Sequence, residues 1–337
     1  MDLKKVVCCL SIVLPMFVSA AEPTAFNDVF SSENSQSPRD FSGVAIIAKG
    51  SEVIFSHQAS SVNGSEFTND TQFIIGSLSK QITAALVLRE VDLGRIDLDA
   101  PIDKYLTQLS AEWGATVTVR HLLNHTSGIV AIDKPLKTEP GVSFAYSNLG
   151  YNLLGQLVAV TSEQSYSTLA NALFSRCDMA NSIAVAKGSQ QPTSVIAGYH
   201  EKQIGQLTHV TKPFPYSAIP SGGIISTAYD LVQWNQCLHK SKIISSTSHQ
   251  QMITKAASRK HRWGDLGYGF ALQLSQDPAP TEWSHSGYVL GYISTLAYYP
   301  ESDTSLVLLE NTSWYPRDMS RVFYYHDQLR AVLLQSN

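Results

Sequence analysis

A serine and a lysine three positions apart could form a reactive centre in this chain. Ser77 and Lys80 stand where segment 73–80 meets the apolar run 81–88. Residues i and i+3 share one face of a helix, so a helix beginning near Ser77 would place the hydroxyl beside the amine. Apolar surroundings lower the pKa of a lysine, and a neutral amine can take the proton that makes serine nucleophilic. A pair this short also arises by chance, so its interpretation depends on the rest of the chain.

A second candidate is the turn Tyr146-Ser147-Asn148. A tyrosine hydroxyl can act as a general base when nearby cations lower its pKa. The Asn148 side chain could hold Lys80 or a substrate amide. The alternative is a structural turn in which Asn148 caps the following helix.

A third candidate is the run His285-Ser286-Gly287-Tyr288. A glycine lets the backbone approach a ligand closely, and the amides of Tyr288 and Ser77 could then form an oxyanion hole. His285 would supply a titratable wall. As a cation, it would raise activity on acidic substrates as the pH falls toward ~6. The alternative is a histidine whose hydrogen bonds are satisfied within a turn.

A long apolar helix is the element expected to position these groups. The run from Ser77 to Gly94 is mostly apolar, and a glycine commonly ends a helix. Segments 41–48 and 52–56 are rich in β-branched residues on either side of a turn, which predicts a hairpin.

Strand patterns at both ends of the chain enclose a helical middle. Helical patterns broken by turns extend from 98 to about 238, β-like runs follow from about 265, and a final helix is expected over 319–334. This order predicts an α/β (α+β) fold. The α/β lobe would comprise about 41–95 and 265–337, and the inserted, mainly helical lobe about 96–264.

The first twenty residues have the pattern of a secretory signal peptide. Lys4 and Lys5 precede the apolar run 6–18, and small residues end at Ala20. Cleavage there predicts a secreted or periplasmic protein with no stable membrane span, whereas an uncleaved segment would be an anchor. Residues 21–40 are polar and are expected to form a loose leader.

The composition is that of a globular protein. Of 337 residues, 44% are hydrophobic and the formal net charge is −4, which argues against disorder and against a nucleic-acid partner. Cys8 and Cys9 lie in the signal segment, so Cys177 and Cys237 would remain as one potential disulfide. The sequence determines neither their pairing nor the oligomeric state.

The three candidate segments, in this order, resemble the β-lactamase and penicillin-binding serine hydrolase superfamily. The resemblance covers roughly residues 40–330 and is greatest to the class C β-lactamase-like branch, with its D,D-peptidases, D-aminopeptidases and esterases. Stretches 94–101, 121–128 and 221–227 also resemble the family. The resemblance implies a β-lactamase/transpeptidase-like fold, in which helices flank an antiparallel sheet and a helical lobe is inserted.

The same resemblance implies a role for each candidate residue. Ser77 would be the acylated nucleophile, while Lys80 and Tyr146 would share the proton transfers. The backbone amides of Ser77 and Tyr288 would form the oxyanion hole. The residues implied to contact substrate are Asn148, His285, Ser286 and Gly287. No metal or other cofactor is implied.

One departure from the family pattern bears on the substrate. β-lactamases of this branch usually have lysine and threonine where His285 and Ser286 stand. A histidine is mostly neutral near pH 7, so it attracts a substrate carboxylate less strongly. We therefore expect a D,D-peptidase or carboxypeptidase-like enzyme, or a related amide or ester hydrolase. The alternatives are a class C-like β-lactamase, a carboxylesterase, and a catalytically quiet penicillin-binding sensor.

A metal site is a further alternative. His121 and His125 stand four residues apart, as two ligands on a helix can. Zinc normally takes three or four protein ligands, and no third ligand is evident near these histidines. The sequence therefore argues against a metal site here. The family resemblance implies a small-molecule or peptide substrate, such as a D-amino-acid peptide, a β-lactam or an ester.

Overall fold

The structure is a computed structural model that describes residues 23–31, 37–60, 64, 66–275 and 280–336. The expected signal peptide, residues 1–20, lies outside the described residues. Within these ranges, no helix combines the length and the apolar character that crossing a bilayer requires.

An antiparallel sheet assembled from both ends of the chain forms the framework. Its strands are β1 (Gly43–Lys49), β2 (Glu52–Ala59), β7 (Ala257–His261), β8 (Gly264–Tyr268), β9 (Gln273–Ser275), β10 (Glu282–Val289), β11 (Tyr292–Tyr299) and β12 (Thr304–Glu310). Their order in the sheet is β2-β1-β12-β11-β10-β9-β8-β7, so the N-terminal hairpin pairs with a strand close to the C-terminus. The α/β fold with a sheet built from both termini is confirmed. The sheet resumes at Ala257, however, so the boundary expected near 265 lies inside it.

Helices cover the sheet and fill the inserted region. They are α1 (Pro23–Asp28), α2 (Ser79–Asp92), α3 (Val119–Leu123), α4 (Asn148–Ser162), α5 (Tyr166–Arg176), α6 (Ala228–His239), α7 (Ser246–Met252), α8 (Met319–Val322) and α9 (Tyr324–Ser336). The expected final helix is thus two helices, α8 and α9.

Short strands form two further small sheets. They are β3 (Phe73–Ile74) with β6 (Ile225–Ser226), and β4 (Tyr199–Gln203) with β5 (Gln206–His209) and β13 (Thr312–Ser313). Three of these strands (β4, β5 and β6) lie in the inserted region, where the sequence predicted helices and turns. The polar β4–β5 hairpin lacks a buried, alternating apolar face, so its sequence carries little strand signal.

The two faces of the sheet bury different partners. On β1, Val44 and Ile46 join the cluster that contains α2, whereas Ala45 and Ile47 pack with α1 and α9. Successive side chains of a strand point to opposite faces, so covering both faces requires the continuous apolar run seen in β1.

Helix α2 is buried between the two lobes. Residues 79–88 are all buried, which explains why this helix is apolar around most of its circumference. It ends before Gly94, whose φ of 71° lies in the left-handed region that favours glycine. Ser77 does not belong to the α-helix itself, because it lies in the 3-10 turn Gly76–Leu78 that leads into α2.

The expectation of a loose leader over 21–40 is wrong for its described part. Phe26 and Val29 pack into the apolar cluster between the sheet and α9. The Arg39 guanidinium donates two hydrogen bonds of 2.7 Å to the Glu310 carboxylate, and both side chains are buried. His326 lies 3.0 Å from the same carboxylate. The segment is therefore fastened to the sheet by packing and by a buried ion pair.

The structure also resolves the pairing of the two cysteines. Cys177, at the end of α5, forms a disulfide with Cys237 of α6, and their Cα atoms are 5.4 Å apart. The bond connects two helices of the inserted region.

We predict that Arg39→Leu destabilises the fold strongly, because it leaves the Glu310 carboxylate buried without its cation. Removing one partner of a buried pair costs about 3–5 kcal/mol in the free energy of unfolding. Urea denaturation measures this loss. The matched control is Lys260→Gln, which breaks an exposed pair with Asp265 and should cost about 0–1 kcal/mol. Equal losses in the two variants would contradict the importance of the Arg39 pair.

Candidate active site

A cavity of about 510 Å³ opens where the helical region meets the edge of the sheet. Residues from both parts of the chain line it, including Ser77, Tyr146, Asn148, Arg259, His285 and Tyr288. The three segments singled out in the sequence therefore meet at one place, although they are far apart along the chain.

Lys80 is fully buried directly below Ser77. Its Nζ lies 3.1 Å from Ser77 Oγ and 2.8 Å from Asn148 Oδ1, and it donates to the Ser221 carbonyl at 2.6 Å. Burial lowers the pKa of Lys80 to about 7, since the charged amine has lost its water. Neutral and charged forms therefore coexist near neutral pH, and the neutral amine can accept a proton from Ser77.

Tyr146 contacts Ser77 from the other side. Its hydroxyl donates to Ser77 Oγ at 2.8 Å. Although 41% of the residue surface is exposed, the protein packed around the hydroxyl raises the pKa of Tyr146 to about 12. The condition for Tyr146 to act as a general base, a pKa lowered by nearby cations, is not met, because burial outweighs both the hydrogen bond to Ser77 and the charge of Arg259. At neutral pH Tyr146 is a neutral phenol that can donate a proton.

At the start of α4, one residue caps the helix and the next one contacts Lys80. Ser147 is the N-cap, and its hydroxyl accepts a hydrogen bond from the Gly150 amide at 3.2 Å. The Asn148 side chain is therefore not needed as a cap, and its oxygen accepts the hydrogen bond from Lys80 instead. The sequence left open whether Asn148 holds Lys80 or a substrate amide, and this contact joins it to Lys80.

Strand β10 approaches the Ser77 turn so closely that only a glycine fits at the crossing. A β-carbon on Gly287 would lie 2.6 Å from the Ile75 carbonyl oxygen and 3.0 Å from the Ser77 nitrogen. On the facing side, a β-carbon on Gly76 would lie 3.3 Å from the Tyr288 nitrogen. Two glycines thus bring the backbone of Ser77 beside that of Tyr288.

His285 is buried and makes two hydrogen bonds within the protein. The Ser286 carbonyl, 2.8 Å from Nδ1, can only accept, so Nδ1 carries the proton. Nε2 then accepts from the Tyr268 hydroxyl at 2.9 Å. Burial, together with the positive charge of Lys80, holds the pKa of His285 well below its usual range. The rise of activity on acidic substrates near pH 6 would need a cationic His285, and this buried, hydrogen-bonded geometry disfavours the cation.

His125 holds the backbone on both sides of Tyr146. The His125 carbonyl accepts from the Ala145 amide at 2.7 Å, and its Nδ1 accepts from the Ser147 amide at 3.2 Å. The centres of the His125 and Tyr146 rings lie 4.2 Å apart. The sequence suggested His125 only as an alternative metal ligand. Its position in the stretch 121–128, which resembles the family, is the feature that could have identified it as a site residue.

The alternative metal pair makes structural contacts instead. His121 Nδ1 accepts from the Thr118 amide at 3.2 Å in the capping box of α3. Over the described ranges, no group of three or more histidine, cysteine, aspartate or glutamate side chains is arranged to hold a metal ion. The sequence also did not predict the contact between the Ser221 carbonyl and Lys80, because the position of a backbone atom cannot be inferred from residue types.

Comparisons with known proteins match this chain to one family. A model of the Beta-lactamase family matches residues 35–330. Penicillin-binding protein 4 of Amycolatopsis lactamdurans is 28% identical over 288 residues, which cover 74% of each chain.

Two solved structures share the fold at 20% sequence identity. D-amino acid amidase from Ochrobactrum anthropi SV3 has a TM-score of 0.78, with 93% of this chain and 97% of that chain covered. D-alanine carboxypeptidase AmpC from Burkholderia cenocepacia has a TM-score of 0.75, with 94% and 100% covered. At this identity, the likeness establishes the β-lactamase/transpeptidase-like fold.

We predict that activity rises with pH through a midpoint at about 7. Below this pH Lys80 is protonated and cannot accept the Ser77 proton, and above it the amine is neutral. The measurement is kcat/KM for p-nitrophenyl acetate between about pH 5 and pH 9. Lys80→Met should lower kcat/KM by about 100-fold or more and abolish the rise of kcat/KM with pH. A rise with its midpoint near the usual lysine pKa, or a rise that persists in Lys80→Met, would contradict the role of Lys80 as the base.

We predict that His125→Ala lowers kcat by about 10- to 100-fold with a smaller effect on KM, because Tyr146 loses its fixed position. His125→Asn is the matched control. Asparagine tolerates the φ of 58° found here and can accept the Ser147 amide through its side-chain oxygen. Both variants lack the ring, so their difference reports the acceptor together with the better fit of asparagine to this left-handed φ. Steady-state kinetics with equal losses in the two variants would exclude a role for this hydrogen bond.

Proposed function

The chain belongs to the Beta-lactamase family and is a serine hydrolase, and from this premise we propose that it hydrolyses D-amino-acid peptides through an acyl-enzyme on Ser77. The observation that carries the proposal is the double contact to Ser77 Oγ, from Lys80 Nζ and from the Tyr146 hydroxyl. One partner can accept a proton near pH 7 and the other can donate one, as acylation requires.

In acylation, neutral Lys80 takes the Ser77 proton while Oγ attacks the substrate carbonyl. The amides of Ser77 and Tyr288 hold the negative oxygen of the tetrahedral intermediate. As the carbon–nitrogen bond breaks, Tyr146 gives its proton to the leaving amine. The proton held by Lys80 then passes to the Tyr146 phenolate, which restores both groups.

In deacylation, the same groups act on water. A water molecule loses a proton through Tyr146 to Lys80 and attacks the acyl carbon. The ester bond to Ser77 breaks, and Oγ regains a proton from Lys80. The free acid leaves, and the resting enzyme returns. Asn148 keeps the Lys80 amine oriented toward Oγ throughout, through the contact at 2.8 Å.

The residues of β10 that would contact the substrate favour a peptidase, or a related amide or ester hydrolase, over a dedicated β-lactamase. His285 is neutral and Ser286 stands beside it, so this strand lacks the lysine that β-lactamases of this branch usually place there. Ser286 and Gly287 would line the substrate along β10, as the family resemblance implies. A class C-like β-lactamase, a carboxylesterase and a quiet penicillin-binding sensor are outcomes of the test below.

We also propose that the protein is exported to a secreted or periplasmic location. The signal-like segment 1–20 motivates this proposal, and the disulfide between Cys177 and Cys237 supports it, because such bonds persist in oxidising compartments.

We predict that intact-protein mass spectrometry shows a stable adduct of a fluorescent penicillin on the wild type and none on Ser77→Ala. The wild type should also release D-alanine from an N-acyl-D-Ala-D-Ala peptide. Ser77→Ala should lose at least about 1,000-fold in this activity, since an acyl-enzyme requires the hydroxyl.

Each other outcome would replace the proposal. Rapid loss of penicillin without an adduct would indicate a β-lactamase, and turnover of p-nitrophenyl esters alone would indicate an esterase. An adduct without any turnover would indicate a sensor. Unchanged activity of Ser77→Ala on every substrate would exclude Ser77 as the nucleophile.

A further inference from the structure

A chain of hydrogen bonds leads from the cavity into the core behind β10. Ser286 lies at the cavity end, and its Oγ is 3.4 Å from Oγ1 of Thr295, its cross-strand neighbour on β11. Thr295 Oγ1 lies 2.7 Å from His326 Nδ1, and His326 Nε2 lies 3.0 Å from Glu310 Oε1. Ser286 is half-buried, whereas Thr295, His326 and Glu310 are fully buried. The chain therefore joins a hydroxyl of the cavity to a carboxylate that substrate cannot reach.

The carboxylate at the inner end fixes the direction of these hydrogen bonds. The Arg39 guanidinium donates twice to Glu310, which is ionised and can only accept, so His326 Nε2 carries a proton. Burial lowers the pKa of His326, so at neutral pH its Nδ1 is bare and accepts from the Thr295 hydroxyl. Thr295 has then used its one hydrogen, and its oxygen can accept from Ser286.

The cavity end of the chain imposes the same direction. Arg262 Nη2 lies 3.4 Å from Ser286 Oγ, and a guanidinium can only donate. Ser286 therefore accepts from Arg262 and donates to Thr295. Its hydrogen points into the sheet, and its oxygen keeps a second lone pair that a donor in the cavity can reach.

Ser286 lies beside the leaving group of the proposed reaction. The centres of the Tyr146 and His285 rings are 6.3 Å apart, so Tyr146 stands next to the part of β10 that carries Ser286. The amide proposed for the oxyanion hole belongs to Tyr288, two residues further along the strand. Because Tyr146 protonates the leaving amine in that reaction, a group attached to the amine would extend along β10 toward Ser286.

We propose that Thr295 and His326 are positioning residues that orient the Ser286 hydroxyl, so that Ser286 accepts a hydrogen bond from an N–H of the leaving group. This inference rests on the proposed function and specifies one feature of its substrates. A leaving group that ends in an amide, or continues as a further peptide unit, carries such an N–H. Each hydrogen bond of a chain polarises the next, so donation from Ser286 to Thr295 makes the Ser286 oxygen a better acceptor.

The test compares N-acyl-D-Ala-D-Ala amide with its N,N-dimethylamide, which lacks the terminal N–H. Thr295→Val keeps the shape of the side chain but removes the hydroxyl, so the Ser286 hydrogen is free to turn toward the cavity. We expect kcat/KM for the primary amide to fall by about 3- to 10-fold, as for the loss of one neutral hydrogen bond, and kcat/KM for the dimethylamide to change by less than about 2-fold. His326→Phe removes the acceptor of the Thr295 hydroxyl and should give the same pattern.

Matched variants show whether the effect passes through Ser286. Thr295→Ser keeps the hydroxyl and should stay within about 2-fold of the wild type on both amides. Adding Thr295→Val to Ser286→Ala should cause no further loss, because the group that Thr295 orients is then absent. The rise of kcat/KM through about pH 7 should persist in Thr295→Val, since Lys80 is not part of the chain. Thermal unfolding of each variant checks that the fold is intact.

Two results would overturn the inference. One is an equal loss on the two amides in Thr295→Val, because a general disturbance of the site does not depend on the terminal N–H. The other is a further loss when Thr295→Val is added to Ser286→Ala, because the effect would then not pass through Ser286.

A second measurement distinguishes failure of this inference from failure of the proposed function. The two leaving groups, D-alaninamide and D-alanine N,N-dimethylamide, are tested as inhibitors of p-nitrophenyl acetate hydrolysis, which does not require peptidase activity. Weaker inhibition by D-alaninamide in Thr295→Val, with inhibition by the dimethylamide unchanged, supports the orientation of Ser286 even if neither peptide is cleaved. If the peptides are cleaved but the variant matches the wild type in both assays, the proposed function stands and the positioning role of Thr295 is excluded.

Discussion

The burial of one amine is the constraint on which the rest of the site depends. Lys80 has no contact with solvent, and its Nζ is surrounded by Ser77, Asn148 and the Ser221 carbonyl. A charged amine is expensive in such a place, so the pKa falls to about 7 and the amine becomes a usable base. Each of these neighbours comes from a different element, and all of them must be in place at once.

The apolar helix α2 makes this burial feasible. It places Lys80 in its first turn, inside the contact between the lobes. The π-helical turn Ile219–Gly223 then presents the Ser221 carbonyl, and Thr83 of α2 donates to the Pro220 carbonyl of the same turn at 2.7 Å. The helix and the turn therefore position each other by hydrogen bonds as well as by packing. The same contacts leave Ser77 half-buried at the floor of the cavity.

Charge in the cavity is distributed by burial as much as by residue type. Burial shifts the pKa of Tyr146 and that of His285 toward the neutral forms of the two side chains. Burial also lowers the pKa of Lys80 to about 7, so this amine changes protonation near neutral pH.

The sequence by itself determined what depends on local geometry. The i, i+3 spacing of Ser77 and Lys80 sets two side chains together on one turn, and the apolar pattern after them predicts a buried helix. The β-branched runs at both ends predicted the strands that pair in the sheet, and the order of the three motifs indicated the family. Only the tertiary structure decided the directions in which the pKa values of Tyr146 and His285 shift, the cysteine pairing, and the hydrogen bonds by which His125 holds the backbone on both sides of Tyr146. Those properties depend on desolvation and on contacts between residues that are remote along the chain, and neither is encoded in residue type or spacing.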